Sequence, residues 1–305
     1  MSPAHRALIT GGTGLLGQAL LEGAPAGWEV EATFHQTLPT EAWSGRFHQL
    51  DVRDEAAVVR LMDAVRPAVV IHTASIGSVD EAERDPAAVR AVNVGGTQAI
   101  GQACERAGAR LAFISSNAVF DGASPPYAEE APVRAVNRYG AIKIEAERWV
   151  REACAAPWVV IRPILMYGWP PPEGRGNVVT RWIAQLEQGQ PVEVDGRLWS
   201  MPLLAANCAD AVWAAVTGGR SGIYHVAGAD RLSLLEFAGR AARVFGCDER
   251  LIRPASERFL SRFAPRPRDT SFVTAKMAQE LGIRPLGTWD GLTSMQRARA
   301  AQRAT

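Results

Sequence analysis

The chain has 305 residues, 47% of them apolar and 21% charged, with a formal net charge of +1. That is enough chain for a sizeable core in one or two domains, at a composition ordinary for globular proteins. The near-neutral balance argues against a nucleic-acid or membrane partner, and no apolar run is long enough to span a bilayer. Four cysteines (Cys104, Cys154, Cys208, Cys247) are widely spaced without a C-x-x-C pair. They argue against a metal site or a disulfide framework and fit spare thiols in a reducing cytoplasm.

In chain order, Ala7–Thr10 reads as a short buried strand, followed by Gly11, Gly14 and Gly17 and then an amphipathic Gln18-Ala19-Leu20-Leu21. Strand, glycine turn and helix in succession let backbone approach a pyrophosphate at a helix N-terminus. The spacing is G-x-x-G-x-x-G, and the same strand-turn-helix logic speaks against a signal peptide here. Further strands are expected at Glu29–Phe34, Phe47–Leu50, Val69–His72, Leu111–Ser115 and Val159–Arg162, and helices at Glu55–Ala64, Pro86–Ala107 and Ala141–Ala153. The alternation predicts an α/β fold, a doubly wound Rossmann-type parallel sheet with right-handed crossovers.

Tyr139 and Lys143, four residues apart, share one face if their segment is helical, and the residues that follow favour helix. An ammonium beside a phenol favours the phenolate, so the tyrosine pKa is expected to fall, giving a proton donor and acceptor usable near neutral pH.

After Arg162 the pattern changes. Trp169–Gly176, with three consecutive prolines, excludes regular structure and is expected to be a mobile loop over a substrate. The expected division is a dinucleotide-binding domain at 1–162, to which 201–227 returns, and a smaller, mostly helical substrate-binding cap at 163–200 and 228–305. Asn177, Arg181, Trp182 and Arg266 are candidates for holding a nucleotide diphosphate, Arg266 first, because guanidinium suits phosphate. Trp169, Trp182 and Trp199 could stack on a base. Arg297, Arg299 and Arg303 are read as a solvated helical tail.

These motifs in this order resemble the extended short-chain dehydrogenase/reductase family over most of residues 5–230. Val79–Glu83, Val119–Gly122, Met201-Pro202 and Arg266–Phe272 further resemble its dTDP-4-dehydrorhamnose reductase group. That group also contains the non-catalytic regulatory subunit of methionine adenosyltransferase. The resemblance implies hydride transfer between a nicotinamide and a carbonyl, with Ser116, Tyr139 and Lys143 catalytic. It implies cofactor contacts from Gly11, Thr13, Gly14, Leu15, Leu16, His35, Asp51, Val52, Thr73, Ala74, Ser75, Asn93, Ser115, Tyr139, Lys143 and Pro163.

The family's dehydratases carry an Asp-Glu pair directly after the Ser/Thr; here those positions are Asn117 and Ala118, which disfavours dehydration. The rhamnose-reductase group more often has Asp then Tyr there, so this chain departs from both patterns. Ala32–Gln36, at the end of the second strand, contains no carboxylate, which favours NADP(H) with NAD(H) possible; no arginine stands in that stretch. The expected activity is a cytoplasmic NAD(P)H-dependent reductase of a 4-keto sugar nucleotide. The alternatives are a sugar-nucleotide epimerase or a non-catalytic NADP-binding subunit, and a homodimer through the helices at Pro86–Ala107 and Ala141–Ala153 is common in the family.

Overall fold

The computed structural model describes residues 5–39, 46–172 and 174–304, with side chains described as far as 301. Glu173 of the expected mobile loop and the Arg303 side chain of the expected tail lie outside the described residues. Six strands, β1 (His5–Thr10), β2 (Trp28–Phe34), β3 (Phe47–Gln49), β4 (Val69–His72), β5 (Arg110–Ile114) and β6 (Trp158–Pro163), alternate with helices. These are α1 (Leu15–Glu22), α2 (Glu55–Val65), α3 (Val79–Arg84), α4 (Pro86–Arg90), α5 (Gly96–Ala107) and α6 (Arg138–Glu152). Beyond them come α7 (Val178–Glu187), α8 (Ala205–Thr217) and α9 (Leu234–Phe245).

The strands form one parallel sheet in the order β3-β2-β1-β4-β5-β6, closed at its far edge by Gly222–Val226 pairing with β6. Strands covered on both faces should be continuously apolar. Ala7, Leu8, Ile9, Val70 and Ile71 are accordingly fully buried. Their side chains alternate between the two layers: Ala7 and Ile9 pack with Leu16 and Leu20 of α1 and Val212 of α8. Leu8 packs with Met62 of α2, Ile100 of α5 and Ile142 of α6. A third cluster joins Val179, Trp182 and Ile183 of α7 to Phe237 and Ala241 of α9 and to Leu292 and Met295 near the C-terminus. The strand order reverses between β1 and β4, the switch point where open α/β sheets leave a crevice at their carboxyl ends.

The expected single helix at Pro86–Ala107 divides. Residues Ala91–Gly95 form one π-helical turn between α4 and α5. Directly after it, a Cβ on Gly96 would sit 2.5 Å from Val52, so the helix passes close to the loop after β3. The helix predicted at Ala141–Ala153 starts earlier, at Arg138, because the Asn137 side chain caps it by accepting from the Gly140 amide at 2.8 Å. That start puts Tyr139 in the first turn of α6.

Two histidines are sealed inside the sheet. His72 exchanges hydrogen bonds with Thr10 Oγ1 at 2.7 Å and Thr97 Oγ1 at 3.2 Å. His225 lies against Phe272 and Arg162. Burial first, then the neighbouring cations Lys143 and Arg162, push both pKa values down from 6.5 to about 3. Both rings are neutral when folded and take up protons on unfolding. Their contribution is therefore complete above pH 6.5 and is lost as pH falls toward 3, at no more than about 1.4 kcal/mol per pH unit for each. Urea unfolding across pH 6.5 to 5, above the usual carboxylate range, is expected to show a falling midpoint; a flat midpoint there would contradict two buried neutral rings.

Candidate active site

The crevice begins at the glycine turn. Gly11 has φ +73, and a Cβ on it would meet the Ala74 backbone and Thr73 Oγ1 at 2.9 Å. A Cβ on Gly17 would stand 2.2 Å from the Gly11 carbonyl oxygen. Gly12, outside the predicted motif, is equally constrained, with Ala32 Cβ 2.6 Å from its would-be Cβ. Gly14 caps α1 without a side chain, so the first amides of the helix face the crevice unblocked.

The strand-end loops are stitched together behind this turn. Thr73 Oγ1 donates to the Thr10 carbonyl at 2.6 Å, and the Ala74 amide donates to Thr10 Oγ1 at 3.2 Å. Asn93, on the π turn, uses both ends of its amide on Ile76, accepting from its N–H at 2.8 Å and donating to its carbonyl at 3.1 Å. Single π turns often occur at functional sites. Here it aims one buried side chain at the loop after β4. Asn93 does not line the crevice; it shapes the wall that does.

A cleft of about 730 Å³ runs along the carboxyl ends of β1 to β6. It is lined by Gly11, Thr13, Gly14, Leu15 and Leu16, by His35, Asp51 and Val52, by Thr73, Ala74 and Ser75, and by Ser115, Tyr139 and Pro163. At one end the Arg53 guanidinium bonds the Asp51 carboxylate from Nε at 2.9 and 3.0 Å and from a terminal nitrogen at 2.5 Å. Those bonds hold the Asp51 carboxyl down at about 2. His35 Nε2 stands 3.6 Å from the same carboxylate. Arg53 lines the cleft and supplies the arginine that the end of the second strand lacks. The end of β2 gives no sign of it, because the neighbouring loop after β3 brings it there.

At the other end Tyr139 lines the cleft, while Ser116 and Lys143, the other two predicted catalytic residues, are not among its lining residues. Ser116 follows β5; its hydroxyl accepts from the Ala118 amide at 3.1 Å and donates to Asn117 Oδ1 at 3.4 Å, and it stands near enough to Tyr139 to favour the phenolate. Lys143, one turn along α6, donates from Nζ to the Ile114 carbonyl at 2.8 Å and lies over the Phe113 ring. The expectation that Lys143 lowers the tyrosine pKa is corrected. Burial dominates and pushes the Tyr139 phenol up, opposed by the Ser116 hydroxyl and the Arg175 charge. Burial also brings Lys143 down to about 8, with Glu147 opposing the fall. Ser115 lines the cleft, but its hydroxyl donates to Glu147. Glu147 in turn holds Arg162 at 2.6 Å, both of them buried.

A second cavity, of about 1030 Å³, adjoins the first and shares Gly77 and Arg175 with it. Trp182, Arg181 and Arg266 line it; Asn177 does not. Asn177 is the cap of α7, accepting from Val179 and Thr180 and donating to the Gly168 carbonyl at 2.7 Å, so its side chain is fully used in structure. Trp182 is buried against Phe237 at a ring distance of 5.6 Å. Arg266 is clamped to Asp80 at 2.7 and 3.0 Å. Arg175, in the proline-glycine loop, was not singled out, because a loop arginine reads as solvated until the two cavities are seen to meet at it.

Residues 5–298 match the family described as RmlD substrate binding domain. The chain belongs to that family. It is 32% identical over 293 residues to the dTDP-4-dehydrorhamnose reductase of Streptomyces griseus, covering 94% of this chain and 91% of that one. It is also 29% identical over 288 residues to the methionine adenosyltransferase 2 subunit beta of Xenopus laevis, covering 92% and 84% respectively. The Bacillus anthracis dTDP-4-dehydrorhamnose reductase, solved in complex with NADP, superposes with a TM-score of 0.85 at 24% identity, over 96% of this chain and 99% of that one. The Rossmann-type fold and the family group expected from sequence are both those found. Among the described residues no helix is long and apolar enough to cross a membrane, and no group of three His, Cys, Asp or Glu side chains is placed to hold a metal ion.

In this RmlD-family chain the glycine turn offers a direct test. Alanine normally stabilises a helix interior relative to glycine by about 1 kcal/mol. At Gly17 the added methyl would strike the Gly11 carbonyl. Gly17→Ala is expected to destabilise by about 1–3 kcal/mol in urea unfolding; a stabilised variant would show the helix and loop free to separate.

Proposed function

We propose that the chain is an NADP(H)-dependent reductase of a 4-keto nucleotide sugar, working at the end of the cleft where Ser116 stands near Tyr139. The observation that carries this reading is that Tyr139 lines the same cleft as a glycine cradle which no Cβ could enter. The cradle fits a dinucleotide: Gly11, Thr13, Gly14, Leu15 and Leu16 would hold its pyrophosphate at the start of α1, with Thr73, Ala74 and Ser75 opposite. When bound, the dinucleotide supplies two-electron reduction of a carbonyl.

The chain's own residues do the rest. Burial keeps the Tyr139 phenol protonated, so it can donate its proton to the carbonyl oxygen as negative charge develops there. Ser116 donates a hydrogen bond to the same oxygen. Arg175 provides positive charge toward the phenolate left behind, and Lys143, bound to the Ile114 carbonyl, holds the helix that presents Tyr139 against β5. Asn117 and Ala118 bring no carboxylate next to Ser116, so nothing at those positions serves to remove water. The sheet with its returning strand (1–162 and 201–227) serves as the dinucleotide-binding domain, and 163–200 with 228–305 as the substrate cap. In the larger cavity Arg175, Arg181 and Arg268 have no carboxylate at ion-pair distance among the described residues, and we assign the diphosphate to them rather than to Arg266.

Tyr139→Phe removes the acid and keeps the ring. With dTDP-4-keto-6-deoxyhexose as substrate, NADPH oxidation by the wild type is expected, and a loss of at least about 100-fold in the variant. The Xenopus similarity motivates the second reading, a non-catalytic cofactor-binding subunit. NADPH binding without turnover of any keto sugar nucleotide would favour it.

Cofactor preference rests on the end of β2, which offers no carboxylate, and on Arg53 and His35 beside it. Arg53→Ala is expected to weaken NADPH binding about tenfold, one charge-assisted hydrogen-bonded contact, and to leave NADH binding unchanged. Titration of both cofactors checks this, and equal effects on both would remove Arg53 from the discrimination.

A further inference from the structure

A nucleotide sugar whose carbonyl sits at Tyr139 must place the rest of its length elsewhere. The adjoining cavity, joined to the first at Arg175, is the space available, and its wall is not uniform. Beside the arginines stands an apolar stretch made of Phe259, Leu260 and Phe263. Phe263 is 44% exposed, an unusual state for so large an apolar side chain at the mouth of a cavity. Its ring lies 5.1 Å from that of Phe259, at 53°.

The tryptophans that sequence offers for base stacking are already engaged. Trp182 borders the cavity but is buried, packed into the helical core against Phe237. Trp169 donates to the Met295 carbonyl at 2.8 Å and packs on Phe245. Trp199 is covered by the Arg231 guanidinium at 4.3 Å. Trp289, 42% exposed, lies under Arg240 and does not line the cavity.

The clamp on Arg266 acquires a purpose in this setting. Its guanidinium holds Asp80 and the Ala264 carbonyl and stands 5.9 Å from the Phe263 ring, while the Ala264 amide also donates to Asp80 at 2.8 Å. The segment after Phe263 is thereby tied to α3 of the main sheet's helical layer, holding the exposed ring in place over the cavity. A ring fixed in advance loses little entropy when a flat partner stacks on it.

We infer that Phe259 and Phe263 form the platform on which the nucleobase of the substrate stacks, with the Asp80–Arg266 pair as its brace. This rests on the nucleotide-sugar reading above and adds to it the residues that hold the base. Stacking on an aromatic ring tolerates any base, so the platform supplies affinity for a nucleobase rather than a choice among bases.

The test titrates dTDP, a nucleotide carrying base and diphosphate without the sugar, into the full chain saturated with NADPH. Phe263→Trp keeps a stacking face and is expected to bind dTDP within about twofold of wild type, whereas Phe263→Leu, apolar but without a π face, is expected to lose about tenfold. Phe259→Leu is expected to lose affinity likewise. NADPH affinity, measured in the same preparations, stays unchanged in each variant and shows that the cleft is folded. Equal dTDP affinity for the leucine variants and wild type would overturn the platform. So would equal losses for Phe263→Trp and Phe263→Leu, since a bulky contact would then be the cause. Wild-type protein that binds NADPH but neither dTDP, UDP nor GDP would overturn the platform together with the nucleotide-sugar reading. Weak binding by the leucine variants alone would leave that reading standing and locate the base.

Discussion

The active end of this molecule hangs on one buried ion pair, Glu147 with Arg162. Two charges taken out of water cost several kcal/mol each, and the pair survives only if its remaining donors and acceptors are satisfied. They are: Ser115 donates to Glu147, and Arg162 donates to the Glu129 carbonyl at 3.2 Å and approaches His225 Nε2 at 3.2 Å. Each partner comes from a different element, so satisfying the pair fixes β5, α6, β6 and the edge strand against one another. Ser116 is the residue after Ser115, and Tyr139 lies two turns before Glu147 on the same helix. The tie at Ser115 and Glu147, reinforced by Lys143 on the Ile114 carbonyl, therefore fixes Ser116 and Tyr139 relative to each other. Removing one member would leave the other charged and unpaired in the core, at a cost of about 3–5 kcal/mol.

The opposite wall of the cleft is set by close approach rather than charge. Gly17 lets α1 pass against its own preceding turn, and Gly11 lets that turn meet the loop after β4. The loop is then held from behind by Thr10, Thr73 and Asn93, all through backbone-directed hydrogen bonds. Neither wall depends on the segments that cover the larger cavity. The crevice between these walls lies at the topological switch point, where α/β folds of this kind bind their ligands.

What the sequence disclosed follows the range of the interaction that each feature needs. The strands were legible because doubly covered parallel strands must be continuously apolar, and β4 falls at the predicted Val69–His72. The glycine turn and the Tyr139–Lys143 spacing were legible because each is local. Asn93 is legible as a residue, yet its partner Ile76 lies seventeen residues away on another loop, and nothing local in the sequence marks the π turn that presents it. Arg53 and Arg175 were missed for the same reason: each matters through a neighbour supplied by another loop. The pKa of Tyr139 ran opposite to expectation because a spacing rule counts the nearby charge and cannot count burial.

The arginines of the larger cavity show why residue type alone could not assign the substrate side. Arg266 was the first choice for phosphate, flanked by prolines that keep it off a helix. In the fold it is the arginine already neutralised, bonded twice to Asp80, and to release it for phosphate would strand that carboxylate beside Phe263. Arg181 has the opposite character. Burial and the nearby Arg175 both disfavour its charged form, so the two cations repel each other. A cavity that gathers unpaired like charges carries a free-energy penalty which an anionic ligand relieves on binding. The cation that is unsatisfied in the fold, rather than the one most conspicuous in the sequence, is the one left to meet a diphosphate.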